Sequence, residues 1–390
     1  MVKNSIIWII GSTIALASGL SALGAVAQDK APALAVTLYP MNGFSAENIA
    51  SESTKISIAE NSGQFPNHNG PKATDFARKA FLAEPITPEA IAVLAFGEAD
   101  QNKRKLMNEA LLLSRRQPLV TAWMIADSGA RDDMSALLSH YDTMLRINRS
   151  AAPVIISLMA DTLANDDFVT PFASLLRKQP PWEPRFWGAV AGKREAIGNA
   201  ARLRVMLYKP NESGESYRDE KLIDALVNNK QFEAAETLYS LLVGRKDASS
   251  LLKNGSFEAE SKYPPIDWKL FSTGEYGAVV TDGKLELSAI RNSGGLFAQQ
   301  LVKLPATVMT MSIKFSDSMA DNARIVVSLK CAQTIQNVPQ PIRISLFRDI
   351  TNLQIDNSRS ECSFYWLDIN GRASETGDGF DVALDSISLR

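Results

Sequence analysis

The hydrophobic period changes once along this chain, at residue 251, and that change constrains the fold more than any other feature. Upstream, apolar residues recur every three and four positions: Leu106, Ala110 and Leu113, then Leu137, Leu138, Tyr141 and Leu145. That spacing puts one apolar stripe on a helix. Downstream, short apolar segments alternate or run for a few residues between turn formers, as strands do. The junction itself, "LLKNGSFEAESKYPPIDWKL" over 251–270, brings Asn-Gly, Pro-Pro and a lone Trp into a previously helical chain. The expected class is therefore multidomain, an all-α region followed by an all-β sandwich.

The helical region is expected over 73–250. "TDFARKAFLAEPITPEAIAVLAFGEA" gives two amphipathic segments separated by "EPITPE", with Thr87 at the N-cap and Pro88 at the first helical position. Gly129 and "RDD" separate two further segments, and the acidic pairs Asp132-Asp133 and Asp166-Asp167 fall at helix starts, where carboxylates favour the dipole. "DDMSALLSHYDTML" (132–145) and "KQFEAAETLYSLL" (230–242) resemble the second helix of a tetratricopeptide repeat, and "RKAFLAEPITPEAIAVLA" resembles the junction between two such repeats. The resemblance implies a TPR-like helical-hairpin solenoid, in which neighbouring hairpins share a core. Trp123 stands about three residues from the family's spacing, and no strict thirty-four-residue period joins the matches. Residues 28–72 are polar and rich in turn formers ("ENSGQFPNHNGPK"), which predicts a linker.

Nine segments after residue 251 read as strands, among them "GKLELSA", "TVMTMSIKFS", "RIVVSLKC" and "CSFYWLDI". Asn254, Gly255, Phe257, Glu258 and Trp268 at the start, with Asp385, Ile387 and Leu389 at the end, resemble the edges of a galactose-binding-like jelly roll of the carbohydrate-binding type. The resemblance implies an all-β jelly-roll sandwich over 251–390. It also implies a structural calcium where the first and last strands meet, held by Glu258 and Asp385, whose oxygens suit that ion. The alternative is that both carboxylates face solvent or end a strand. Sugar binding needs aromatic faces, and Tyr276, Phe297, Tyr365 and Trp366 are the candidates. Alternation sends Phe364 and Trp366 to one face of their strand and Tyr365 and Leu367 to the other, so one pair is core. Trp268 is expected in the core.

Composition limits the chemistry. A net charge of −2 over 390 residues gives no electrostatic case for nucleic acid. Two histidines, His68 and His140, remove most histidine-based metal and triad chemistry. No phosphate-binding glycine loop or nucleophile elbow is present. "RKQPPWEPRFWGAV" holds Trp182, Phe186 and Trp187 beside Arg177, Lys178 and Arg185, either a groove for an acidic partner or a packed connector.

The N-terminus carries one early cation, Lys3, and then runs uncharged from Asn4 to Gln28, with an apolar stretch of roughly twenty residues and with Ala25-Val26-Ala27 matching a small-x-small cleavage pattern. A signal peptide and a retained transmembrane anchor both satisfy the pattern, the alternative being a buried helix of a soluble core. Both place the rest of the chain in the bacterial cell envelope on the periplasmic side, anchored to the inner membrane or secreted. Cys331 and Cys362 in an exported domain predict a disulfide, the alternative being two buried thiols. The layout is also similar to uncharacterised bacterial envelope proteins. The expectation is a non-enzymatic adaptor. Its sandwich touches polysaccharide, during exopolysaccharide assembly or export, and its helical arm binds envelope proteins. The rival expectations are a pure scaffold without a sugar site and a polysaccharide-modifying enzyme.

Overall fold

The computed structural model describes residues 2–209, 216–244, 250–316, 323–334, 339–346, 350–376 and 378–390, with side chains from residue 15 onward apart from those of Ser216 and Ile350. The chain divides into two compact units, Met1–Met159 and Ala160–Arg390. The switch from helix to strand therefore lies inside the second unit.

The first unit contains α1 (Val2–Ala27), α2 (Pro32–Leu38), α3 (Gly43–Glu60), α4 (Pro71–Ala83), α5 (Pro88–Ala95), α6 (Asp100–Leu113), α7 (Pro118–Ala130) and α8 (Met134–Ile147), and it ends within α9 (Ala152–Thr162). Among the described residues no helix is long and apolar enough to cross a membrane. The side chains of 2–14, much of the predicted export or anchor segment, lie outside the described residues.

Residues 28–72, expected as a linker, carry α2 and α3 instead. The reason is side-chain size. Ala46 and Ala50 of α3 meet Ala73, Ala77 and Ala80 of α4, with Ala90 and Val93 of α5 in the same cluster. A stripe of alanines lets helices approach closely yet has no large apolar residue to mark its period. At Gly43 a Cβ would lie 2.4 Å from Glu84 Cγ, so this contact needs the missing side chain. Successive helices then pack as hairpins with a recurring junction. After α4, α6 and α8 the chain turns extended at Glu84 (φ −138°), Ser114 (φ −154°) and Asn148 (φ −134°). It re-enters helix at or beside Pro88, Pro118 and Pro153. Ile91, Phe96, Met107, Val120, Trp123 and Met124 fill the core of α5–α7.

The expected positions at the N-terminus of α5 hold, with Pro88 first in the helix, but the capping bond comes from elsewhere. Thr87 occupies the N-cap, but its hydroxyl donates to Glu84 O at 2.7 Å. The capping acceptor is Glu47 of α3, whose Oε1 accepts from Glu89 N at 2.7 Å and Ala90 N at 3.3 Å. Asp133 does cap α8, accepting from Ala136 N at 3.0 Å.

The second unit begins with α10 (Val169–Leu176), α11 (Glu183–Val190), α12 (Ile197–Leu207), α13 (Ser216–Asn228) and α14 (Phe232–Val243). Trp182, Phe186 and Trp187 are buried, with Phe186 stacked on Phe172 at 5.1 Å, so this cluster is a packed connector. Arg204 and Asp219 form a buried two-bond pair at 2.7 and 2.9 Å.

Among the described residues ten strands follow: β1 (Lys269–Leu270), β2 (Tyr276–Thr281), β3 (Lys284–Ala289), β4 (Gly294–Lys303), β5 (Val308–Phe315), β6 (Ala323–Cys331), β7 (Ile342–Leu346), β8 (Ile350–Asp356), β9 (Phe364–Ala373) and β10 (Phe380–Leu389). They form two antiparallel sheets, ordered β1-β4-β9-β6-β7 and β2-β3-β10-β5-β8. The first is called the Trp366 sheet below. Inward residues of both sheets make one core that includes Trp268, Phe297, Leu329, Leu367 and Ile387. Nine of these strands match the sequence reading. The tenth, β8, was missed because "ITNLQID" is largely polar and lies at a sheet edge, pairing only β5.

The Asn-Gly stretch closes the sandwich. Asn254 is left-handed (φ 45°) and its side chain holds Ala259 through both amide ends. Ile387 N donates to Gly255 O at 2.8 Å, and a Cβ on Gly255 would lie 2.1 Å from Ile387 O. Only glycine lets the first segment lie this close to the last strand. Trp268 is buried, donating Nε1–H to Asn254 O.

Helix α14 packs directly on the sandwich. Phe232 meets Phe364 at 5.2 Å, Glu233 pairs with Lys303 at 2.7 Å, and Glu236 pairs with Lys253 at 3.4 Å. Tyr239 donates to Asp267 at 2.8 Å, and Asp267 also accepts from the backbone of Lys262 and Tyr263. Cys331 and Cys362 are joined as a disulfide.

Candidate functional site

The four aromatic candidates do not form one site. Phe297 (0% exposed) and Tyr365 (4%) are core, so neither presents a face to a ligand. The Tyr365 hydroxyl donates to Asn357 Oδ1 and lies 2.6 Å from Ser360 Oγ, which satisfies it inside the fold. Tyr276 points inward too, packed on Phe297 at 5.1 Å with its hydroxyl over Gly295. Its edge borders an open groove of about 660 Å³ lined by Thr273, Glu275, Ser288, Arg291, Asp378 and Asp381 among others.

Trp366 is different. Along β9 the inward residues are Tyr365, Leu367, Ile369 and Ala373, so Phe364, Trp366, Asp368, Asn370 and Arg372 face out. Phe364 is covered by Phe232 of α14, whereas Trp366 is only partly buried. Strand register sets its neighbours. Trp366 lies between Leu301 and Lys330, and the next row reads Gln299, Asp368, Ser328, Arg343 across four strands. The row after that brings in Asn370 beside Val326. Gln299 Nε2 donates to Asp368 Oδ1 at 2.8 Å. Burial raises the Asp368 carboxyl above its ordinary range, against the lowering effect of Gln299 and Lys330. The result is an indole beside an amide, a carboxylate, a second amide and cations, the group types that hold a sugar ring by its C–H face and its hydroxyls. Sequence reasoning named Trp366 but not Gln299, Asp368 or Asn370. Their signal was period two along "FYWLDINGRA", which puts Trp366, Asp368 and Asn370 on one face once Tyr365 is known to be inside.

Glu258 and Asp385 do not fit the expected calcium. Asp385, on a β-bulge of β10, is hydrogen-bonded to Ser316 and lies 3.0 Å from Lys314 Nζ and 3.8 Å from Lys284 Nζ. Those contacts, Ser316 first and Lys314 next, hold its carboxyl below the usual range. Two ammonium groups already neutralise the oxygens a calcium would need. Glu258 is exposed. Among the described residues no three His, Cys, Asp or Glu side chains are grouped to hold a metal.

A second cavity, of about 490 Å³, lies among α10–α13 and is lined by Arg177, Pro181, Glu183, Trp187, Tyr208 and Arg218 among others. Two of its cations are paired, Arg218 with Glu183 at 3.3 Å and Arg204 with Asp219 at 2.7 Å.

No known protein family matches the chain, and no curated protein matches it. Solved structures do. The carbohydrate-binding module TmCBM61, solved in complex with beta-1,4-galactotriose, is 16% identical over 36% of this chain and 97% of that one, at a TM-score of 0.25. A carbohydrate-binding module of family 4 is 15% identical over 36% of this chain and 99% of that one, at 0.24. The accessory secretory protein 1, 2 and 3 structure of Streptococcus pneumoniae is 13% identical over 32% of this chain and 97% of that one, also at 0.24. At such identities and scores no binding property transfers to this chain.

Proposed function

We propose that the protein is a non-catalytic glycan-binding adaptor, whose sandwich holds a polysaccharide on the outer face of the Trp366 sheet. The observation that carries the reading is the partly exposed Trp366 indole in register with the Gln299–Asp368 pair and Asn370. An aromatic face takes the apolar side of a pyranose, and planar amide and carboxylate groups take its hydroxyls. The helical hairpins, with junctions recurring at Glu84, Ser114 and Asn148, serve as a TPR-like arm for a protein partner. The disulfide fits an oxidising compartment, which supports an envelope location and a role in exopolysaccharide assembly or export.

The test is calorimetric titration of the full chain against a panel of bacterial exopolysaccharides. Saturable binding that Trp366→Ala abolishes, with circular dichroism unchanged, is the expected result. A Trp366→Ala chain that binds as the parent does would overturn the assignment. A folded chain that binds no glycan moves the function to the scaffold reading.

A further inference from the structure

The two outer faces of the sandwich carry opposite charge. On the Trp366 sheet, the outward positions of β6, β7 and β9 hold Arg324, Lys330, Arg343 and Arg372 against one carboxylate, Asp368, among the described residues. On the other sheet, the outward positions hold Lys284 and Lys314 against Glu286, Asp356, Asp381 and Asp385. This asymmetry is not inherited from the chain, whose net charge is only −2.

The cations of the Trp366 sheet are also disposed for use. Lys330 is the direct cross-strand neighbour of Trp366, and Arg343 ends the row that starts at Gln299 and Asp368. Arg324, Lys330 and Arg343 are exposed and make no ion pair with a described residue. Arg372 donates only to a neutral side chain, Asn292 Oδ1, at 3.2 Å. The lysines of the opposite sheet are instead committed to Asp385. Asp368, the single acid on the Trp366 sheet, is bound to Gln299, and Lys330 acts on it electrostatically. A neutral glycan would leave these guanidinium and ammonium groups without an ion-pair partner. A chain bearing a carboxylate on each sugar would meet them at strand spacing, with the indole taking the ring face between charges.

We infer that the ligand of the Trp366 face is an acidic polysaccharide, a polyuronate rather than a neutral glycan; this rests on the glycan reading above. The test titrates the full chain with polygalacturonate and alginate, and with polygalacturonate whose carboxyl groups have been reduced to hydroxymethyl groups. Duplex DNA of similar charge density serves as the polyanion control. The polyuronates are expected to bind, the reduced polymer to bind about tenfold or more weakly, and the K330Q/R343Q double variant to lose about tenfold for polyuronate, the scale of losing charge-assisted bonds. Affinity should fall as sodium chloride rises. Lys284→Gln, on the opposite face, should bind like the parent.

If the reduced polymer binds as tightly, or K330Q/R343Q changes nothing while Trp366→Ala abolishes binding, the acidic class is overturned and the glycan reading stands. DNA binding equal to polyuronate binding and indifferent to Trp366→Ala would show charge adsorption only, and overturns the inference. If no polyuronate and no neutral glycan binds the folded chain, both readings fall together.

Discussion

Adjacent residues of β9 have opposite fates, and that contrast decides what a substitution there does. Tyr365 and Trp366 are both aromatic, but Tyr365 is core with its hydroxyl bonded to Asn357, and Trp366 faces outward. Tyr365→Phe should therefore destabilise the second unit by about 1–2 kcal/mol, because Asn357 (4% exposed) loses a partner, and leave glycan affinity unchanged. Urea denaturation and calorimetry on the same variant separate the two effects. A loss of affinity without a loss of stability would put Tyr365 in the site. Period two along β9 showed that one of these aromatics is inside; which one depends on the opposite sheet, and no local pattern encodes that. Asp385 teaches the same point. Its position near the chain end matched an expected metal ligand, but Lys284 and Lys314 come from two other strands to meet it.

At the scale of elements, large apolar residues made the reading possible and small ones hid it. The core of α5–α7 announces itself through Ile91, Phe96, Met107 and Trp123. The α3–α4 contact does not, because its currency is alanine. The docking of α14 was hidden for another reason: its partners lie far along the chain, at Lys253, Asp267, Lys303 and Phe364. This helix ties the helical part of the second unit to the sandwich. Phe232 is 4% exposed and packs on Phe364. Phe232→Ala should cost about 3–5 kcal/mol, the range for removing a buried aromatic ring. It should also raise the exposure of Phe364. Chemical denaturation of a 160–390 fragment should show that loss, and a fragment beginning at 251 should be weakened already, before any substitution. Equal stability of the two fragments would make α14 a passive passenger.

For the whole molecule, two controls on stability fall in different units. Glu47 in the first unit is pushed up to about 7 from 4.5, chiefly by burial, with Glu89 raising it further and Lys55 and the backbone N–H groups of Glu89 and Ala90 opposing. Its folded form holds a proton more tightly than its unfolded form. Stability from this group is thus greatest at low pH and declines as pH rises from about 4.5 through about 7. Glu47→Gln keeps an oxygen for the α5 cap without a charge to bury, so it should flatten that decline. The disulfide belongs to the second unit and joins positions 31 residues apart, which the chain-entropy account values at about 3–4 kcal/mol. Hydrogen exchange followed by segment reads both controls in one chain. Protection in α3 and α5 should fall between pH 5 and pH 8, after correction for intrinsic exchange, and fall less in Glu47→Gln. Reductant should lower protection in β6 and β9 and leave α3 and α5 as they were. A parent and a Glu47→Gln chain with identical pH profiles would show that Glu47 does not control the α3–α5 contact. Unchanged exchange in β6 and β9 on reduction would show that their pairing, through Ser328–Asp368 and its neighbours, holds this sheet together without the covalent link.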